Sequence, residues 1–116
     1  MKIVSVAKGY KLHVTPSKYH NVKTVVDGIT FHSKKEAARY QELKLLEKAG
    51  EITGLELQPR FAIDIKGVHI CDYIGDFLYT ENGKPVLEDC KGFKTPSYRL
   101  KKKLVKAIWK FDILES

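Results

Sequence analysis

Apolar and polar positions in this chain repeat with two periods, and the switches between them mark its elements. Val22 to Phe31 alternates around Asp27-Gly28, which predicts a β-hairpin. Ser33-Lys34-Lys35-Glu36 then reads as a capping box, followed by Ala37, Tyr40, Leu43 and Leu46 at helical spacing. Gly50 is placed to end that helix as a C′ glycine. Three strands are expected next: Leu55–Ile65, Val68–Tyr79 and Pro85–Lys91, separated by turns at Lys66-Gly67 and Asn82-Gly83. Gln58-Pro59 should bend the first of these or hold it at an edge. Thr95-Pro96 opens a second helix that runs to about Trp109, with Tyr98, Leu100, Leu104, Val105 and Ile108 as its apolar set. Phe111–Leu114 fits a last short strand. The order is helix, three strands, helix, strand, an α/β arrangement.

Residues 1–19 show no sustained period and contain the turn signal Thr15-Pro16-Ser17, so they read as a flexible basic arm. Residues 20–116 read as one domain, including the first hairpin. With 116 residues the chain has room for one core and little more. No apolar run is long enough for a membrane span, and the N-terminus does not have the shape of a secretory signal. Cys71 and Cys90 cannot build a disulfide framework, so a reduced, cytoplasmic setting is expected.

Charge narrows the function. There are 21 Lys+Arg against 14 Asp+Glu, a net charge of +7, which favours polyanionic partners and nucleic acid above all. From Lys91 to Lys110 eight basic residues occur without an acid, and the first 23 residues are also free of acids. Lys94, Arg99, Lys101, Lys102 and Lys103, with Lys18 and Lys23, are the expected contacts to a DNA backbone. Lys101 and Lys103 lie about 200° apart on a helix, so only part of the triplet can face a cleft. The carboxylates concentrate between these basic ends. There Asp76 and Asp89 fall on strands joined by the Asn82-Gly83 turn, so pairing can bring them together. Alternation puts Asp89 and Lys91 on one face, with Glu88 and Cys90 on the other. Paired carboxylates beside a lysine suit Mg²⁺ or Mn²⁺, and Lys91 is placed to orient a water or stabilise a phosphorane. An acid inside Tyr73-Ile74-Gly75-Asp76-Phe77 is costly to bury unless something compensates it.

Asp76 followed by Asp89-x-Lys91, in that element order, resembles the PD-(D/E)xK nucleases. KYHNVKTVVDGITFHSKKEAARYQELKLLEKAGEI, LELQPRF, YIGDF, LEDCKGFKT and YRLKKKL are similar to an uncharacterised phage and prophage family of that superfamily, across residues 18–108. The resemblance implies a restriction-endonuclease-like αβββαβ core, with a mixed sheet flanked by helices. It implies metal-dependent hydrolysis of DNA in a bacterial host cell, with phage Holliday-junction resolvases among the nearest relatives. Asp76 then matches the first metal acid, Asp89 the second, Lys91 the catalytic lysine and Glu36 the first-helix acid. Gln58 matches a polar residue near the site, and Asp72 sits at its edge or pairs with a lysine. Gly75 stands where the nominal motif has proline. Glu36 has another explanation, as the N3 partner of Ser33, and both readings stay open.

Three functions follow. The first is a structure-selective endonuclease on branched DNA, working as a homodimer. The second is a nicking or general DNA nuclease of the same fold, and the third a non-catalytic basic nucleic-acid-binding module. The Val22–Phe31 hairpin and the arm before it either form the subunit contact or cap the sheet of their own chain.

Overall fold

In the computed structural model, the structure describes the backbone of residues 4–5 together with residues 23–91 and 93–116. The first hairpin forms as expected from β2 (Thr24–Val26) and β3 (Ile29–Phe31), and β1 (Val4–Ser5) pairs with β3 to give a three-stranded antiparallel sheet. Those two residues of the arm are therefore a strand; the rest of the 1–19 arm, Lys18 included, lies outside the described residues. Asp27 and Gly28 both have positive φ (53° and 75°), the type I′ geometry that matches the twist of a hairpin. The hairpin closes on its own chain. Phe31 is fully buried 5.0 Å from the Tyr40 ring, and the Tyr40 hydroxyl donates to Asp27 Oδ2 at 3.0 Å. Its apolar residues thus have a partner in the first helix, as the alternative in which the hairpin caps its own chain expects.

That helix, α1 (Lys34–Lys48), starts where Ser33 Oγ accepts from the Glu36 amide at 3.1 Å. It ends in a Schellman pair, with Gly50 N–H donating to Glu47 and Glu51 N–H to Leu46. Beyond it come β4 (Ile52–Leu57), β5 (Arg60–Ile65), β6 (Val68–Ile74), β7 (Phe77–Glu81) and β8 (Lys84–Asp89). Then follow α2 (Pro96–Trp109) and β9 (Ile113–Glu115). The four-stranded sheet runs β4-β7-β8-β9, antiparallel except for the parallel β8–β9 pair that α2 connects. It is a mixed sheet in an α/β fold. No helix among the described residues is long and apolar enough to cross a membrane.

The first two expected strands each break in the middle, and they break together. Gln58 takes a left-handed φ of 50°, Pro59 supplies no N–H, and the chain turns from β4 into β5. Opposite, Gly75 and Asp76 turn β6 into β7. Gln58 N–H donates to Asp76 C=O and Gly75 N–H to Pro59 C=O, both at 3.0 Å. One long hairpin is thus folded at a shared corner. β4 and β7 lie in the four-stranded sheet, while β5 and β6 make a separate two-stranded ribbon. A Cβ at Gly75 would stand 2.8 Å from Leu87 Cδ1, so the corner is packed to contact.

The core has two parts, one on each side of the sheet. On one side Ala37, Tyr40 and Leu43 of α1 pack on Ile52, Phe77 and Tyr79. On the other, Tyr98 and Val105 of α2 pack with Leu87, Ile113 and the ribbon residues Phe61, Ile63 and Tyr73. The apolar face of α2 is narrower than its sequence suggests. Leu104 is half-buried, but Leu100 is 59% exposed and Ile108 is also exposed, because the helix rests on the ribbon along its 98–105 line.

Candidate active site

The corner between β6 and β7 holds Asp76. It is in the bend, not on a strand as expected, and its backbone is held from both sides. Its N–H donates to Glu88 C=O at 3.1 Å and its C=O accepts from Gln58 N–H. Gln58 therefore supports the site through its backbone. The Asp76 side chain is turned toward the end of β8, where Oδ2 accepts from the Cys90 amide at 2.8 Å. Asp89, the last residue of β8, receives the Tyr73 hydroxyl on Oδ2, and Lys91 Nζ stands 3.5 Å from Oδ1. Glu36 arrives from the first turn of α1.

These three carboxylates are buried, none more than 1% exposed, and each keeps one oxygen without a hydrogen-bond partner: Glu36 Oε2, Asp76 Oδ1 and Asp89 Oδ1. Glu36 divides its oxygens between two environments. Oε1 accepts from the His32 amide at 3.1 Å and serves the helix start, while Oε2 is left over. Burial, then the Glu36 charge, pushes the Asp76 carboxyl up to about 7. Burial, then the Asp76 charge, pushes Asp89 up to about 7. Glu36 is raised as well, chiefly by burial. Repelling, under-bonded carboxylates of this kind need protons or a cation between them. Their donor set, all oxygen, fits a hard divalent ion. Among the described residues no three His, Cys, Asp or Glu side chains are so placed that together they could hold a metal ion. Mg²⁺ does not require three, since it retains several waters and takes one or two carboxylates.

Lys91 is half-buried, with Nζ 4.8 Å from the centre of the Tyr98 ring. It opens onto a cleft of about 200 Å³ between β6 and the start of α2, lined also by Asp72, Tyr73, Ser97, Tyr98 and Lys101. Asp72 lines this cleft, and its partner is an arginine rather than a lysine. Arg60 Nη1 donates to Asp72 Oδ2 at 2.6 Å, and His69 Nε2 is 3.4 Å from Oδ1. Of the lysine triplet, Lys101 faces the cleft. Lys102 and Lys94 instead pair with Glu115 (3.3 and 3.0 Å), which also accepts from the Tyr98 hydroxyl at 2.7 Å. The Tyr98 bond first, then the lysines, holds Glu115 down to about 2. Arg99 and Lys103 are exposed on α2, and Lys23 is exposed beside His32.

The opposite face of β8 has the reverse electrostatics. Glu88 is fully buried and fully bonded: Arg39 donates from Nε to Oε2 (2.6 Å) and from Nη2 to Oε1 (3.0 Å). Tyr79 and Ser116 hydroxyls add bonds of 2.7 Å each. Burial opposes its ionisation, but these donors outweigh it and keep Glu88 below the usual carboxylate range. Tyr73 and Tyr98, which support the site, and Arg39, which supports the glutamate behind it, are roles that the sequence did not reveal. Only the alternation that places Tyr73 with the inward residues of its strand hinted at one of them.

No curated protein matches the chain. Over residues 16–113 it matches the model of the family described as Protein of unknown function (DUF1064), and it belongs to that family.

Proposed function

We propose that this chain is a divalent-metal-dependent endodeoxyribonuclease with the restriction-endonuclease-like core of the PD-(D/E)xK superfamily. What supports the reading is the set of three buried carboxylates from α1, the β6–β7 corner and β8, each with an oxygen that no hydrogen bond satisfies, beside Lys91. The element order agrees with it: counting each strand folded at the corner once, the chain runs α1, three strands, α2, β9. Asp76 and Asp89, with Glu36, would hold Mg²⁺ or Mn²⁺. When bound, such an ion supplies a water of lowered pKa and a counter-charge for the phosphate. Tyr73 fixes Asp89 through Oδ2 and leaves Oδ1 toward Lys91. Lys91, backed by the Tyr98 ring, is placed to hold a phosphate oxygen and offset its charge in the transition state. Branched DNA is the proposed substrate and a homodimer the proposed assembly, because paired cuts across a junction call for two symmetry-related sites.

The test is a panel of four-way junction, flap, nicked and linear DNAs incubated with Mg²⁺, alongside sedimentation of the protein. Cutting of the branched DNAs, junction or flap, should be preferred over linear duplex and should stop in excess chelator. Asp89→Asn and Lys91→Ala should each lose about a hundredfold or more. Calorimetric titration should show Mg²⁺ binding lost in Asp89→Asn and retained in Lys91→Ala. Full activity in either variant, or in chelator, overturns the proposal; a monomer that cuts linear duplex as fast as junctions overturns the branched-DNA part.

A further inference from the structure

Tyr98 separates two concavities. One is the cleft that holds Lys91; the other is a wider groove of about 540 Å³ along α2. The floor of the groove is apolar, formed by Ala107, Phe111 and Ile113. Its rim is basic, because Arg99, Lys102, Lys103 and Lys106 recur at i, i+3, i+4 and i+7 and so share one face of the helix. Two acids line it, and both are already engaged: Asp112 with Lys106 at 2.7 Å, and Glu115 with Lys94, Lys102 and Tyr98. Arg99 and Lys103 have no ion pair among the described residues. Next to Lys94, and two residues from Lys91, Phe93 is 73% exposed.

We propose that this groove binds single-stranded DNA, with Phe93, the neighbour in sequence of the rim residue Lys94, stacking on an unpaired base. The proposal rests on the nuclease reading and specifies its substrate as DNA with an unpaired flank. A cationic rim over an apolar floor, with an exposed aromatic ring at hand, suits a strand whose phosphates and base faces are both accessible. A regular duplex offers the phosphates but hides the base faces. An acidic peptide would satisfy the rim but would gain nothing from Phe93.

Binding can be measured in chelator, by fluorescence anisotropy of a labelled single strand about 12 nucleotides long and of the equal-length duplex. The strand should bind at least about fivefold tighter than the duplex. Phe93→Ala should weaken the strand by about fivefold or more, the loss of one stack, and leave the duplex unchanged. Phe93→Trp should restore it, and a strand without bases should not distinguish wild type from Phe93→Ala. Replacing Arg99 and Lys103 together by glutamine should flatten the log-log salt dependence by about 1.4. Equal affinity for strand and duplex, an unchanged Phe93→Ala, or displacement of the strand by polyglutamate at equal charge would each overturn the groove assignment. Cleavage assays on the same protein with Mg²⁺ separate the two readings. Strand preference without any cutting overturns the nuclease and keeps the groove; cutting without strand preference overturns the groove alone.

Discussion

Replacing Asp76 by asparagine should make the metal-free protein more stable at pH 8 while abolishing its affinity for Mg²⁺. The carboxyl is held near 7 in the fold, against 3.8 ordinarily, by burial and by Glu36. A raised acid binds its proton more tightly folded than unfolded, so its contribution to stability is full below its ordinary pKa. It is lost as pH rises through 7. Above that pH the folded chain carries an ionised carboxylate among two others, without enough donors. Asparagine still offers an oxygen to the Cys90 amide and removes the repulsion. Asp76 and Asp89 share the penalty, so the relief is on the order of 2–4 kcal/mol, or roughly 10 °C or more in melting temperature. Thermal melts in chelator from pH 5 to 8 should fall for the wild type and be flatter for Asp76→Asn. Adding Mg²⁺ at pH 8 should raise the wild-type melt and leave the variant where it is. An asparagine variant less stable than wild type at pH 8 would show that the acids do not repel as described.

Glu88→Ala should have an effect of similar size and opposite sign. It leaves the Arg39 guanidinium with only its exposed Glu42 contact and empties the acceptor that Tyr79 and Ser116 use, a loss of about 3 kcal/mol. Replacing both partners, Glu88→Met with Arg39→Leu, should recover most of that stability, because a buried pair is far more costly to break than to replace. The glutamate is held below its ordinary pKa, so its contribution is present above that value and lost as pH falls through the folded one. Urea melts of the single and double variants at pH 7 check the cycle. A single variant as stable as wild type would mean that the pair contributes nothing. Mg²⁺ affinity should survive in the double variant, since Glu88 faces away from the acid cluster.

The direction of the Glu88 side chain was legible in the sequence, because alternation along one strand needs no partner to be known. Its weight was not legible. Arg39 is 49 positions away, on a helix whose rotation against the sheet is settled only by packing. The turns were readable for the same local reason. Asp27-Gly28, Lys66-Gly67 and Asn82-Gly83 each have positive φ at two successive residues, and Asp, Asn and Gly supply it readily while Lys66 leans on the glycine after it. Gln58-Pro59 showed the bend in the first strand, but the facing bend at Gly75-Asp76 escaped because its bonds join Gln58 to Asp76 and Pro59 to Gly75 while the apolar pattern continues through the second strand. Glu36 was ambiguous as a choice between two roles. The two roles do not compete, since only one of its oxygens is spent on the helix start.

The packed corner also sets which substitutions relatives can share. A proline at position 75, where the nominal nuclease motif has one, would delete the amide that bonds to Pro59 and press its ring toward Leu87. Positions 75 and 87 should therefore vary as a pair: a relative with proline at the first should carry a smaller residue than leucine at the second. A search pattern that insists on the proline would pass over this chain although every acid of the motif is present.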